Sequence, residues 1–143
     1  IMRCRLCVFV VLLILVNIGC GKEENQPPTI VFGKIVGTYT GLTQVCMIEV
    51  PTQDTLCGGE ISNTLRVVIY DASSIEISDV LGVYNKKKVN YVKTTDSYVH
   101  HFESKSTSDS LSLSYHEGSQ SLEMKNHKLS DSKLILDRFV GKK

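Results

Sequence analysis

Ser110-Leu-Ser-Leu-Ser-Tyr-His-Glu-Gly-Ser-Gln-Ser-Leu-Glu-Met-Lys125 alternates apolar and polar side chains on both sides of a Glu117-Gly118-Ser119 break. Leu111, Leu113 and Tyr115 fall on one face of the first half, Leu122 and Met124 on one face of the second, and serines or charges fill the other face. Alternation with a period of two is the mark of a strand with one side buried, and a short Gly-containing break makes two such strands a hairpin. A two-residue turn at Glu117-Gly118 or at Gly118-Ser119 sets Leu113 opposite Leu122 or Met124, whereas a slip of one residue opposes it to a charge.

Working outward, the same pattern recurs. Ile35 to Thr43 is β-branched and aromatic with glycines at 37 and 41, which suits a first strand that bends or is closely approached by another backbone. Asn63 to Tyr70 alternates around Leu65, Val67 and Ile69, and Ile75 and Ile77 share a face opposite Glu76 and Ser78. Val89 to Val92, Tyr98 to Phe102 and Lys133 to Val140 complete the series, the last apolar enough for burial on more than one side. Lys86-Lys87-Lys88 reads as a hairpin tip or solvated strand edge. Eight or nine short strands with regular turns, and no convincing helical period, predict an all-β domain: a single antiparallel β-barrel or a β-sandwich of about eight strands.

The N-terminal end sets the address. Arg3 and Arg5 precede an apolar run from Val8 to Val16, the length of a signal-peptide core and short for a membrane span. Ile18-Gly19-Cys20 closes the run and resembles the lipobox of bacterial lipoproteins, although Asn17 stands where that motif usually has an apolar residue. The resemblance implies cleavage before Cys20, lipid on Cys20 and a membrane as partner through that lipid. Residues 1–19 are then a signal peptide, residues 20–32 the lipidated cysteine and a polar, Pro-containing tether, and residues 33–143 one domain. Lys22-Glu23-Glu24 is similar to the export signal of Bacteroidota-type surface lipoproteins, which implies an outer-membrane, surface-exposed position, with a periplasm-facing anchor as the alternative.

This address sorts the charges and the cysteines. The whole chain carries +1 from 16 Lys+Arg and 15 Asp+Glu. Without Arg3 and Arg5 the balance is 14 against 15, which leaves no basic footprint for nucleic acid. Of five cysteines, Cys4 and Cys7 leave with the leader, Cys20 takes lipid, and Cys46 and Cys57 remain to pair in an oxidising compartment. Their ten-residue spacing does not fit a thiol-redox motif or a zinc knuckle.

No catalytic constellation can be assembled. His100 and His101 are adjacent on a strand and face opposite ways, while His116 and His127 lie elsewhere, so no metal ligands are assigned. No Gly-x-Ser-x-Gly sequence, phosphate-binding loop or run of calcium ligands occurs, and no cofactor is implied. Two classes of function remain: a non-enzymatic binding or interaction module for an apolar ligand, glycan or protein, and an envelope enzyme or enzyme inhibitor with an unmarked site. Gly37-Thr38-Tyr39-Thr40-Gly41 and Phe139-Val140-Gly141-Lys142-Lys143 resemble the flanking motifs of lipocalin-like (calycin-like) domains of Bacteroidota lipoproteins. That resemblance, with Tyr39 where lipocalins have Trp, implies an up-and-down barrel closed at one end by a cation packed across the aromatic ring, a part assigned to Arg138. Metabolic labelling with a radioactive lipid precursor should tag the wild-type chain and leave Cys20→Ala untagged; equal labelling of both removes the anchor.

Overall fold

A computed structural model describes residues 29–143. Helix α1 (Thr29–Ile35) leads into nine strands: β1 (Gly37–Glu49), β2 (Thr55–Cys57), β3 (Ile61–Asp71), β4 (Ser74–Asp79), β5 (Lys87–Val92), β6 (Val99–Lys105), β7 (Asp109–His116), β8 (Ser121–Ser130) and β9 (Lys133–Lys142). Every pairing is antiparallel, each strand from β3 to β9 pairs with its successor, and β1 pairs with both β3 and β9. The sheet is therefore a closed eight-stranded barrel, with β2 as an additional strand on β1; the sandwich alternative is set aside. Cys20 and the leader lie outside the described residues.

Closure depends on β1, whose 13 residues serve three partners. One edge pairs residues 37–43 with β3 and then residues 46–48 with β2, while the other pairs residues 40–49 with β9. Gly41 lies opposite Gly141. A Cβ at Gly41 would stand 2.0 Å from the Val140 carbonyl oxygen, and one at Gly141 would stand 2.5 Å from the Phe139 ring. The expectation of a close backbone approach at Gly41 is met here, and no larger residue fits.

The hairpin register places Leu113 opposite Met124, the pairing of a Gly118-Ser119 turn, closed by Gln120 N–H donating to the Glu117 carbonyl at 3.3 Å. Alternating side chains fill the barrel: Tyr39, Leu65, Val67, Ile75, Ile77, Val89, Phe102, Leu113, Leu122, Met124 and Phe139 are fully buried in one apolar cluster. Strand β9 departs from expectation. It alternates, with Asp137 and Phe139 inward and Val140 exposed, because both of its faces are decided by the barrel wall.

Helix α1 also departs from expectation. It occupies residues 29–32 of the expected tether, so the domain begins ahead of Gly33. Phe32 and Ile35, three residues apart, share one helical face and are buried under one end of the barrel. Phe32 packs 6.4 Å from the Phe102 ring.

Gly41→Ala should cost about 3 kcal/mol, the upper range for overpacking against backbone. Gly118→Ala, where a Cβ meets nothing within 4 Å, should change stability by less than about 0.5 kcal/mol. Urea denaturation midpoints of the two variants provide the comparison.

Candidate functional site

The two ends of the barrel are built differently. The end at α1, here called the floor, is tied together by a polar network, with the buried Ser74 hydroxyl the group left without a partner there among the described residues. The Tyr39 hydroxyl donates to the Ile35 carbonyl at 2.5 Å, and the Lys143 ammonium donates to the Lys34 carbonyl at 2.6 Å, so Lys143 caps the end of α1. Glu117 in the β7–β8 turn bonds Lys34 at 2.7 Å through one oxygen and the His100 ring at 2.7 Å through the other. These two partners, Lys34 foremost, hold the Glu117 carboxyl below the usual range. The His100 ring stacks on Tyr115, which meets Tyr39 edge to face.

The cation over the Tyr39 ring is Lys143, 5.8 Å from its centroid, and not Arg138. The reason is strand alternation. Asp137 and Phe139 point inward, so Arg138 points outward, where it pairs with Gln44 in register and bonds Glu123 at 3.1 Å. Lys143 reaches Tyr39 by passing over Gly37, where a Cβ would stand 2.5 Å from its Cε.

The histidines do not converge. His100 is buried in the floor rather than at the surface, while His101 points away and bonds Ser114 and Glu103. Among the described residues no three His, Cys, Asp or Glu side chains gather in a way that could hold a metal ion. Lys86 to Lys88 are exposed at the start of β5, as a solvated run should be: Lys87 pairs with the half-buried Asp109 and Lys88 with Asp71.

The opposite end, the mouth, is where β1, β4, β6 and β8 finish. Below its rim lies a polar layer. Asn63 donates to the Thr43 hydroxyl at 3.0 Å and to Asp79 at 2.9 Å, and Asn126 donates to Asp137 at 3.2 Å. Tyr84 comes from the β4–β5 loop, held by its backbone N–H on Asp79 at 2.9 Å, and turns its ring wholly into the core. Its hydroxyl is buried without a hydrogen-bond partner. Burial first, then the Asp137 and Asp79 charges, push its pKa far above the ordinary range. Burial also raises the Asp137 carboxyl, against the opposing bond from Asn126. Tyr84 and Asp137 carried no signal in the sequence beyond a lone aromatic near a glycine and a lone acid in an apolar run.

Around this layer the rim is apolar. Val80 is 79% exposed and Leu56 74%, and Val50, Ile61, Leu81, Val83, Leu129 and Val45 are exposed as well. Residues 50–60 form an arm without a buried side chain, and the Cys46–Cys57 disulfide fastens β2 to β1 at its base, Cα to Cα 4.0 Å. Closing a loop of this size stabilises by roughly 3 kcal/mol or less through the unfolded chain. Clefts of about 320 and 370 Å³ lie beside this arm, lined by Leu42, Glu60 and Val140 and by Met47, Glu49 and Leu56 respectively, not by the core cluster. The fold and its two ends define the chain as a small disulfide-stapled antiparallel β-barrel. Comparison with protein-family models and with curated proteins finds no match.

Because the folded Asp137 binds its proton more tightly than the unfolded chain does, stability falls as pH rises through the interval between the two pKa values. Asp137→Asn, which keeps an acceptor for Asn126, should therefore raise the thermal midpoint at neutral pH, and the gain should vanish below the ordinary carboxyl range. Tyr84→Phe removes a buried unpartnered hydroxyl and should be neutral or stabilising by up to about 1 kcal/mol.

Proposed function

We propose that this protein is a lipid-anchored, non-catalytic interaction module of the bacterial cell envelope, lipocalin-like in build, that engages its partner with the mouth rim. The observation that carries this is that exposed apolar side chains, Val80 and Leu56 foremost, are more numerous on the end of the barrel opposite α1 than at the floor end, which exposes Ile69, Tyr70 and Tyr98. Monomeric proteins seldom leave such a patch bare unless it meets something. Since apolar side chains fill the barrel interior, contact falls to the rim and loops rather than to a ligand held inside.

The position of α1 supports an anchor on Cys20. Eight residues lie between Cys20 and Thr29, nine steps of chain with a reach of at most about 32 Å, and the chain enters the domain at the floor. A lipid on Cys20 therefore leaves the mouth on the side away from the attachment. Display on the outer face of the outer membrane, as the Lys22-Glu23-Glu24 signal implies, turns the rim towards the surroundings of the cell.

A photo-cross-linking amino acid placed at position 80 of the anchored protein on living cells should give discrete adducts, and one at Ser119 on the floor-side turn should give none. Adducts from Ser119 alone, or none from position 80, would sink the rim as the contact surface. Val80→Ser combined with Leu81→Ser should leave the thermal midpoint unchanged, since both side chains are already exposed.

A further inference from the structure

Strand β2 is the place where the closed barrel leaves a sheet edge open. Its pairing to β1 uses alternate residues. Glu49 N–H donates to the Asp54 carbonyl and Gly58 N–H to the Val45 carbonyl, 3.0 and 2.9 Å, with Met47 opposite Leu56 between them. In an antiparallel ladder the residues between hydrogen-bonded pairs direct their N–H and C=O the other way. Thr55 and Cys57 thus present theirs to the free edge, where among the described residues no strand pairs with β2. The disulfide holds Cys57 against Cys46, so this edge stays fixed although no apolar core lies beneath it.

Such an edge is a template for another strand. Its surroundings state what kind. Leu56 is exposed on the mouth side, next to the cleft of about 370 Å³ lined by Met47, Glu49, Asp54, Leu56 and Lys133. Asp54 and Glu60 flank the strand, both exposed and, among the described residues, without an ion pair. A second copy paired about Leu56 would bring Asp54 of one chain diagonal to Glu60 of the other, like charge beside like charge, whereas a strand with Lys or Arg at its ends would match them.

We propose that β2 accepts an extended peptide segment as an added antiparallel strand, with an apolar residue set against Leu56 and basic residues towards Asp54 and Glu60. This names a partner for the mouth end and rests on the rim reading for the class of function. Peptide N–H groups donate to the Thr55 and Cys57 carbonyls, and peptide carbonyls accept from the Thr55 and Cys57 N–H groups.

The probe is the synthetic peptide Lys-Thr-Val-Leu-Val-Thr-Lys, titrated against the full chain in mild detergent, with hydrogen exchange read residue by residue. Binding should slow exchange at the Thr55 and Cys57 amides and leave the floor unchanged. Replacing both peptide lysines by glutamate, or N-methylating its two valines, should each weaken binding roughly tenfold or more. Thr55→Pro removes a donor that β1 does not use and should weaken it similarly; the N-methylated peptide decides the matter should that variant fold poorly. No binding, binding indifferent to N-methylation or to charge reversal, or protection away from β2 would overturn the proposal. Dimers that protect Thr55 and Cys57 in the absence of peptide would overturn it too, assigning the edge to a second copy. Peptide binding at β2 without adducts from position 80 would overturn the rim reading alone, and adducts from position 80 without peptide binding would overturn this inference alone.

Discussion

The contact on which the rest of the structure depends is the crossing of β1 and β9 at Gly41 and Gly141. The two backbones approach so closely that a single methyl group on Gly41 would overlap the Val140 carbonyl. That approach lets the first and last strands share a ten-residue ladder, from Thr40 opposite Lys142 to Glu49 opposite Lys133. Closing a sheet on itself removes its edges, the general hazard of antiparallel folds. It also fixes the tilt that carries Lys143 over Gly37 to the Tyr39 ring and Lys34 carbonyl, so the floor is assembled from both ends of the domain.

The floor and the mouth then differ in how their polar groups are paired. At the floor Tyr39 has the Ile35 carbonyl, and His100 and Lys34 share Glu117, while the buried Ser74 hydroxyl at the start of β4 has no partner. At the mouth, Tyr84 places an unpartnered hydroxyl in the field of Asp137 and Asp79, and the Asp137 carboxyl is raised by burial. A buried polar group without a partner costs stability of the order of 1–3 kcal/mol. At the mouth these groups lie beneath a rim that carries exposed Val80, Leu81 and Val83, and departures from self-consistent packing concentrate at sites kept for contact.

The sequence was legible wherever one local rule decided the outcome. Ser110 to Lys125 showed its hairpin because period two and turn chemistry agree, and Cys46 and Cys57 showed their pairing by elimination. Arg138 was misassigned because its nearness in sequence to Phe139 and Gly141 hides which wall of the strand it occupies; alternation turns it outward and leaves the ring to Lys143. Helix α1 was missed because seven residues are too few to establish a helical period, and its stability comes from burying Phe32 and Ile35 against the barrel. Tyr84 from the β4–β5 loop lies in the field of Asp137 on β9, far away in sequence, information that no window of sequence contains.

The disulfide takes its meaning from the same geometry. A bridge inside the barrel would stabilise strands already held by ladders on both sides. Cys46 and Cys57 instead sit where β1 has left β3 and carries β2 outside the closed wall, and residues 51–60 are exposed throughout. Three strand residues with a single paired edge cannot by themselves offset the entropy of ordering the arm, which runs to about 1–2 kcal/mol per residue of backbone. The covalent staple supplies what the absent core does not. An arm fixed in that way, with Leu56 bare and one row of backbone groups unpaired, is ordered at a cost that burial does not repay, which is the physical reason to look for its role in recognition rather than in stability.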